Sequence, residues 1–450
     1  MTSEHLAPDC FVWIWLPGHA EPVVAGRLVR QAPNDRFAFI YGRSYLANPD
    51  AIAVNSFELP LGTQVIDPPD GMKLASGLRD ASPDAWGRRV IINRLFGKAG
   101  LEAYNQELDE QTYMLESGSD RIGALDFQAS ATLYVARSND NASLSELLDA
   151  ARLVEAGMPL TPELEQALRH GTSIGGARPK ALIQANERKY VAKFSASNDT
   201  VSVVKAEFIM MRLASLAGLN VAPVQLQHVL GKDVLLIERF DRYRIASGGW
   251  ARKLMVSALT LLGLDEMMAR YTSYETLSHI IRRDFHDPKA DLRELFGRLV
   301  FNILCGNTDD HARNHAAFFN GKDYALTPAY DICPQTRTGN VASQGMLIMG
   351  QANQSQIALC LEAAHLFLLD RVTAREIVLS QLDAICRHWQ VVCGEAGISQ
   401  VDQNVLATRQ MLNPFIFEQL REDDRDIARI ADGIRPGLIA GKGHTPPGSD

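Results

Sequence analysis

A helical stripe of apolar residues that runs into a polar stretch is the feature that most constrains the fold of this sequence. Apolar side chains recur at three- and four-residue intervals across Leu292–Leu304, and Gly306 follows almost directly. This spacing predicts a buried helix that ends at the glycine. The overlapping stretch Phe301–Pro334 concentrates acids, amides, histidines and an arginine among mostly apolar neighbours. We therefore predict that the helix delivers a group of polar side chains to a functional site.

Composition narrows the class of protein. The 450 residues are 46% hydrophobic and 22% charged, which is typical of a globular protein with two or three domains. A net charge of −8 argues against a protein that binds nucleic acid by itself, because such a protein needs a basic face to displace counterions. No stretch reaches 18 uninterrupted apolar residues and the six cysteines lack CxxC spacing. We expect a cytoplasmic protein with reduced thiols and no membrane span.

The first third of the chain reads as strands followed by helices. Short β-rich runs alternate with Gly, Pro and Asn over Cys10–Thr63, which predicts a small antiparallel sheet. Ser82-Pro83 predicts a helix start, with proline at the first helical position. Ser143 and Glu146 predict a capping box at the start of a further helix.

A loop and a hairpin follow in the middle of the chain. The run that begins at Gly171 reads as a flexible glycine turn, a strand, a turn and a returning strand, in the sequence GTSIGGARPKALIQANERKYVAKF. The next helix, predicted over Val203–Ala217, places Glu207 on its buried stripe. Because a buried carboxylate needs a partner, we expect an ion pair with Lys193 of the returning strand. The run VLLIERF, which ends at Phe240, predicts one more strand.

These elements supply the parts that phosphoryl transfer from ATP requires. The reaction needs backbone donors and a lysine on the phosphates, an acid near the attacking hydroxyl, and Asn and Asp ligands for magnesium. Gly175-Gly176 would close over the phosphates, and Lys193 follows Gly175 by 18 residues at the end of a strand. Glu207 on the next helix would hold that lysine as an ion pair.

The acid and the metal ligands come later, in the order that kinases use. Asp309 and Asn314 are five residues apart, which is the spacing of a protein-kinase catalytic loop. Asp331 follows Asn314 by 17 residues and would be the second magnesium ligand.

Each part of this pattern also has a simpler interpretation. Residues 173–179 form an ordinary turn if they stand alone, and the lysine–glutamate pair is then a structural ion pair. Asp309-Asp310 would cap a helix through the next residues. His311 and His315, at i and i+4, suggest a metal pair, but the glutamate arrangement of an HExxH zinc motif is missing. The joint occurrence of all parts in kinase order favours phosphoryl transfer.

Together these motifs resemble the HipA family of serine/threonine kinases, the toxins of bacterial HipBA-type toxin–antitoxin modules. The resemblance covers most of the chain, from about residue 10 to 429, and rests on the motifs TSIGGARPK, YVAKF, LLIERFDR, GNTDDHARNH and TPAYDI, with SPDAWGRRVI before them. It implies an α+β, protein-kinase-like bilobal fold. The expected parts are a β-rich N-terminal subdomain with helices (1–160), a kinase-like N-lobe with the Gly-rich loop (161–242), a helical C-terminal lobe with the catalytic loop (243–432) and a disordered tail (433–450).

The resemblance also implies roles for individual residues. It makes Asp309 the catalytic aspartate, Asn314 and Asp331 the magnesium ligands that act with it, and Lys193 the lysine on the ATP phosphates. Residues implied to contact the nucleotide are Ser173, Gly175, Gly176, Ala177, Lys180, Lys193, Glu207, Glu238, Phe240, His311, Arg313 and Tyr330. Of these, Glu238 and Phe240 are implied hinge residues whose backbone meets adenine.

The resemblance has further implications for Ser173 and Arg313. Ser173 is similar to the serine that this family autophosphorylates, an event that ejects the Gly-rich loop and disables ATP binding. A phosphate there adds nearly two negative charges where the nucleotide phosphates belong, which makes such a switch physically reasonable. Arg313 stands where the family often has lysine, and a planar guanidinium contacts phosphate differently from a point charge.

The implied function is an ATP- and magnesium-dependent serine/threonine protein kinase. By resemblance its substrate is an aminoacyl-tRNA synthetase, its partner is a HipB-like helix-turn-helix antitoxin, and it reaches DNA only through that partner. Two alternatives stay open at this point: a catalytically silent corepressor that keeps the nucleotide pocket, and a kinase of small molecules.

Overall fold

The computed structural model describes residues 9–31, 35–97, 108–137, 143–161, 164, 168, 178–185, 187–195, 202–246, 248–337 and 339–439. The statements below concern these residues.

An antiparallel sheet forms first, as predicted. Its strands are β1 (Cys10–Ile14), β2 (Val23–Gln31), β3 (Arg36–Tyr41) and β4 (Leu125–Gln128), in the order β3-β2-β1-β4. A shift in register opposite Val12 and Trp13 leaves Ala25 unpaired and marks a bulge in β2.

Five helices accompany this sheet within the described residues: α1 (Arg43–Leu46), α2 (Ser76–Arg79), α3 (Ala85–Phe96), α4 (Glu110–Glu116) and α5 (Leu144–Glu155). The predicted capping box of α5 is confirmed, with Ser143 and Glu146 bonded reciprocally. The predicted start of α3 at Ser82-Pro83 is wrong by two residues. Asp84 is the N-cap, because its carboxylate accepts the N–H of Gly87.

A second antiparallel sheet forms the mixed lobe. The predicted hairpin is confirmed as β5 (Lys180–Ala185) and β6 (Arg188–Phe194), followed by α6 (Val203–Leu216), β7 (Val224–Val229) and β8 (Lys232–Glu238). The strand order is β5-β6-β8-β7. In the hairpin register Lys180 lies opposite Lys193.

Short strands connect this lobe to the C-terminal lobe. They are β9 (Arg242–Arg244), β10 (Trp250–Arg252), β11 (Leu254–Ser257), β12 (Ala316–Phe319) and β13 (Tyr324–Leu326). Strands β9 and β10 pair with each other, and β11-β12-β13 form a small sheet beside the polar loop.

The C-terminal lobe is mostly helical. Its α-helices are α7 (Ala258–Leu261), α8 (Tyr274–Asp284), α9 (Pro288–Cys305), α10 (Ile357–Ala363), α11 (Arg371–Ala396), α12 (Gln400–Val405) and α13 (Arg425–Leu438). Shorter 3₁₀ segments are Glu266–Tyr271, Ala312–Asn314, Ala364–Phe367, Pro414–Phe417 and Glu422–Asp424, and Leu406–Gln410 is a π-helical turn. Within the described residues every helix is too short or too polar to cross a lipid bilayer.

The prediction of a buried helix over the apolar stripe is confirmed, whereas the prediction of a disordered C-terminal tail is partly wrong. Helix α9 begins after Asp287 and ends at Gly306, which confirms the predicted buried helix. The prediction of a disordered tail from residue 433 is wrong for Gly433–Leu438, because α13 includes them and buries Ile434 and Leu438. Residues 440–450 lie outside the described part of the chain.

Two hydrophobic cores cross the predicted boundaries at 160 and 242, which stay predictions. The larger core joins the N-terminal sheet to α6 and the C-terminal lobe, through residues such as Val12, Met211 and Leu299. The second core packs α3 and α5 against the sheet of the mixed lobe, with Trp86 and Phe194 among its members. The N-terminal region therefore contacts both lobes on either side of the site.

Candidate active site

A cavity of about 770 Å³ lies where the N-terminal region and the two lobes meet. This volume suits a small ligand or cofactor. Eight predicted site residues lie on its wall: Lys193, Glu238, Phe240, His311, Arg313, Asn314, Tyr330 and Asp331. Three others, Lys180, Glu207 and Asp309, are not on the wall that the described residues form.

The glycine at the end of α9 sets the path of the polar loop. Gly306 has φ +74°, and a Cβ at this position would lie 2.8 Å from the backbone oxygen of Gln410. Glycine alone adopts this left-handed conformation without strain and leaves room for the neighbouring chain.

A buried network anchors the polar loop to the C-terminal lobe. Asp310 is 1% exposed, lies 2.8 Å from Nε2 of His315, and accepts a hydrogen bond from the Tyr274 hydroxyl. Burial opposes the charged form of Asp310, but His315 and these hydrogen bonds lower the pKa of its carboxyl below the usual value. The network fixes the loop from beneath. Tyr274 has no recognisable signal in the sequence.

The structure rules against two of the simpler interpretations. Asp309-Asp310 does not cap a helix, because Ala312–Asn314 is a single 3₁₀ turn that leads into strand β12. His315 is a structural residue bound to Asp310 and does not pair with His311.

Asp309 lies at the exposed surface of the loop. Its backbone oxygen accepts a hydrogen bond from Nδ2 of Asn314 at 3.2 Å, which leaves the amide oxygen of Asn314 available as a ligand. Desolvation raises the pKa of the Asp309 carboxyl; His311 lowers it, and the nearby charges of Asp331 and Asp310 raise it further, so that it lies above its usual value. A carboxyl with a raised pKa is suited to accept a proton.

Lys193 joins three elements at one end of the cavity. Its ammonium lies 2.6 Å from Oε1 of Glu207 on α6 and 2.5 Å from Oδ1 of Asp331, which follows β13. The predicted ion pair is therefore present, and Glu207 is 3% exposed. Burial opposes the charge of Lys193, but the two carboxylates more than offset this and raise the pKa of its ammonium.

Asp331 has an unusual backbone conformation. Its φ of +60° is rare for a residue with a side chain, and such conformations cluster at functional sites. Burial opposes the charge of Asp331, but Lys193 lowers the pKa of its carboxyl below the usual value. The side chain is 41% exposed, so it remains accessible from the cavity.

The other end of the cavity is apolar and includes the predicted hinge. The ring of Phe240 packs against Tyr330, with centroids 5.7 Å apart, and Val191, Ile237 and Met255 complete the wall. The N–H of Phe240 has no hydrogen-bond partner within the part of the chain that the structure describes. An apolar slot beside a free backbone donor suits a flat heterocycle with a ring nitrogen.

The sequence interpretation missed the three apolar wall residues. Val191 could have been predicted from the sequence, because it lies two residues before Lys193 on β6 and so faces the same side of the sheet. Ile237 reaches the slot because β8 pairs with β6 and places it opposite Val191. Met255 comes from β11, outside that sheet, and reaches the slot only through packing of separate elements.

Arg313 is held at the mouth of the cavity. Its guanidinium pairs with Glu266, and its backbone oxygen accepts the Tyr330 hydroxyl at 2.7 Å. Glu266 also forms an ion pair with Arg79 of the N-terminal region, in which a guanidinium nitrogen lies 3.4 Å from a carboxylate oxygen. Sequence reasoning missed Glu266, which lies in a 3₁₀ turn without a motif.

Lys180 was predicted to contact the nucleotide, but its side chain binds Asp84 instead. Its side chain is 2% exposed and its ammonium lies 3.1 Å from Oδ2 of Asp84. The ammonium is therefore paired across a subdomain boundary and does not line the cavity. Sequence reasoning missed Asp84.

Ser173, Gly175, Gly176 and Ala177 lie outside the described residues.

Residues 172–389 match the HipA-like C-terminal domain. This part of the chain therefore belongs to the family of HipA-like C-terminal domains. The matched residues include Lys193, the polar loop and Asp331, which together form the polar end of the cavity.

Two curated proteins that are similar to this chain carry kinase names. The putative kinase Y4mE of Sinorhizobium fredii is 27% identical over 276 residues, which are 58% of this chain and 57% of that protein. The serine/threonine-protein kinase toxin HipA of Shewanella oneidensis is 26% identical over 183 residues, 36% of this chain and 42% of that protein. The chain thus spans about half the length of the curated relatives it matches.

A solved structure matches almost the whole chain. It is a complex of HipA, HipB and operator DNA from Shewanella oneidensis, with a TM-score of 0.60, 16% identity and coverage of 96% of both chains. At this identity the likeness shows the fold. It confirms the predicted α+β, kinase-like arrangement of two lobes behind an N-terminal region.

Proposed function

We propose that this chain is a kinase that transfers the γ-phosphoryl group of ATP to a serine or threonine of a protein. The observation that carries the proposal is Lys193, whose ammonium lies 2.6 Å from Glu207 and 2.5 Å from Asp331. A lysine between two carboxylates can exchange one of them for ATP phosphates while the other keeps it in place. The kinase names of the two relatives support the same reaction.

Asp309 is proposed as the residue that orients the acceptor hydroxyl and takes its proton. It is exposed at the tip of a loop whose base is held by Asp310 and His315. Its raised pKa makes it a better proton acceptor than an ordinary aspartate. Arg313, once released from Glu266, would contact phosphate oxygens.

The residues at the polar end fit magnesium. Magnesium prefers oxygen ligands, and the amide of Asn314 and the carboxylate of Asp331 offer oxygens on the wall of the same cavity. Held by these two side chains, magnesium would supply positive charge that offsets the charge of the phosphates. Asn314 is oriented for this by its own hydrogen bond to Asp309.

The apolar end is proposed to bind adenine. The N–H of Phe240 would donate to a ring nitrogen, and Val191 and Met255 would contact the two faces of the base. Glu238, whose carboxylate pairs with Arg188 at 2.5 Å, would contribute its backbone oxygen.

The finer function is proposed from the family resemblance. The chain would be the toxin of a toxin–antitoxin pair, would phosphorylate an aminoacyl-tRNA synthetase, and would inactivate itself by phosphorylation at Ser173. A HipB-like antitoxin would bind it and link it to DNA. One relative is named as a toxin, and the matching structure contains HipB and operator DNA, which supports this assignment.

The test is phosphate transfer from labelled ATP. Purified wild-type chain, magnesium and a cell lysate should yield labelled protein, and Asp309→Asn should yield almost none. Equal labelling by the two proteins would refute the proposed kinase, and label confined to small molecules would favour a small-molecule kinase. Mass spectrometry of the labelled protein then identifies the substrate, and Ser173→Ala tests the proposed site of self-labelling.

A further inference from the structure

The start of helix α3 reaches the polar end of the site from the N-terminal region. Oδ2 of Asp84 lies 3.1 Å from the ammonium of Lys180, and Nε1 of Trp86 donates to the backbone oxygen of the same lysine at 3.0 Å. Both the side chain and the main chain of Lys180 are therefore held by a segment that lies 94 to 96 residues away in sequence.

Lys180 needs an acidic partner because of its position in the hairpin. It is the register partner of Lys193 in antiparallel strands, so both side chains lie on one face of the sheet. Like charges directly opposite each other destabilise a strand pair, and Lys180 is too buried for water to screen its charge. Asp84 supplies the opposite charge for Lys180. Glu207 and Asp331 supply it for Lys193.

We propose that Asp84 is a positioning residue of the nucleotide site: by holding the Lys180 ammonium, it leaves Glu207 and Asp331 to Lys193. This inference rests on the proposed ATP-dependent function. Asp331 also attracts Lys180 electrostatically. Without Asp84, the Lys180 ammonium would compete for Asp331, and the arrangement that receives the phosphates and magnesium would be lost.

Asp84 has a second contact that an experiment must keep. Its Oδ1 accepts the N–H of Gly87 at 2.8 Å and caps α3. Asp84→Asn retains an oxygen for this cap and removes the charge. A matched control exists in Asp109, which caps α4 through the N–H of Thr112, pairs with Arg30 and is not itself on the cavity wall.

The experiment compares adenosine with ATP. Calorimetry with magnesium present would measure both dissociation constants for wild type, Asp84→Asn and Asp109→Asn. Adenosine reaches the apolar end but has no phosphates to meet Lys193. In Asp84→Asn the ATP dissociation constant should rise about tenfold, the size expected for one charge-assisted contact, and the adenosine constant should stay as in wild type. Asp109→Asn should change neither.

Two results would overturn the inference: unchanged ATP affinity in Asp84→Asn, or equal losses of adenosine and ATP affinity, which would limit Asp84 to a role in folding. If Asp84→Asn is recovered unfolded, Asp84→Ser keeps a cap oxygen and takes its place. A wild type that binds no ATP would refute the proposed function itself.

A second arm tests whether Asp84 acts through Lys180. In a Lys180→Met background Asp84→Asn should lower ATP affinity no further, because the ammonium that it neutralises is absent. A full additional loss in the double variant would contradict the proposed route.

Discussion

Lys193 is the residue on which the proposed binding of ATP phosphates depends. It is the one lysine on the cavity wall with contacts to two carboxylates among the described residues, and its partners come from different elements, α6 and the segment after β13. The backbone of Asp331 adopts φ +60° to bring its carboxylate there. A pair that needs a strained conformation is a candidate for a site that exchanges partners when a ligand binds.

Lys193→Met should therefore weaken ATP binding by about tenfold to a hundredfold, because one charged contact to the phosphates is lost. Calorimetry in the presence of magnesium measures this. Lys322→Met is a suitable control, since Lys322 is 88% exposed and lies away from the cavity wall. Unaltered ATP affinity in Lys193→Met would return the lysine to a purely structural role.

The raised pKa of Asp309 predicts that the rate of phosphoryl transfer depends on pH. Desolvation raises the pKa of its carboxyl above the ordinary value of about 3.9, and nearby Asp331 and Asp310 add to this. A base must be deprotonated, so kcat/KM for phosphoryl transfer should fall as pH decreases through this raised pKa. His311 opposes the rise. His311→Gln should thus move the acidic limb to higher pH, and a limb that does not move would show that another group controls it.

At the scale of elements, local patterns in the sequence were sufficient where neighbours in the chain are neighbours in space. The apolar stripe predicted α9 and its end at Gly306, and the buried stripe of α6 predicted the ion pair of Glu207 with Lys193. The pairs Arg313–Glu266 and Lys180–Asp84 were not predictable in this way. Their members lie 47 and 96 residues apart and meet only through packing of separate elements.

Gly306 allows a direct test of how α9 delivers the polar loop. An alanine there would have to adopt φ +74° and would place its Cβ 2.8 Å from the Gln410 backbone oxygen. Gly306→Ala should lower the free energy of unfolding by about 1–3 kcal/mol. Gly394 is an exposed residue inside α11 with open space around it, so Gly394→Ala should instead raise that free energy by about 1 kcal/mol. Urea unfolding measures whether the free energy of unfolding falls in Gly306→Ala and rises in Gly394→Ala. Equal changes in the two variants would contradict the proposal that Gly306 is required at the end of α9.

At the scale of the whole molecule, a buried group of charges connects the N-terminal region to the segment that follows β8. Asp120 receives Arg239 and Arg242, with N and O 3.1 and 2.8 Å apart. Asp241 also binds Arg239 at 2.8 Å and accepts the N–H of Gly123 at 2.8 Å. Residues outside the matched domain therefore orient the segment that contains the proposed hinge residue Phe240.

Removing one member of this group should cost far more than removing a surface charge. Asp120→Asn leaves the charges of Arg239 and Arg242 undercompensated in the interior, and we expect the free energy of unfolding to fall by about 3–5 kcal/mol. Asp149→Asn, which removes an exposed partner 3.8 Å from Arg152, should change it by less than about 0.5 kcal/mol. Urea unfolding followed by circular dichroism measures both, and similar values for the two variants would argue against a stabilising role for the buried group.

The same group predicts how the molecule unfolds in acid. Burial alone would raise the pKa of Asp241, but Arg239 and Arg242 lower it to about 2. In the unfolded chain the carboxyl has its ordinary pKa of about 3.9, so the folded form binds the proton less readily. Its contribution to stability is therefore complete above about pH 4 and is lost as pH falls toward 2. Asp241→Asn should be less stable than wild type at neutral pH and should lose less stability between pH 4 and pH 2. Parallel loss in both proteins over that interval would mean that other carboxylates control acid unfolding.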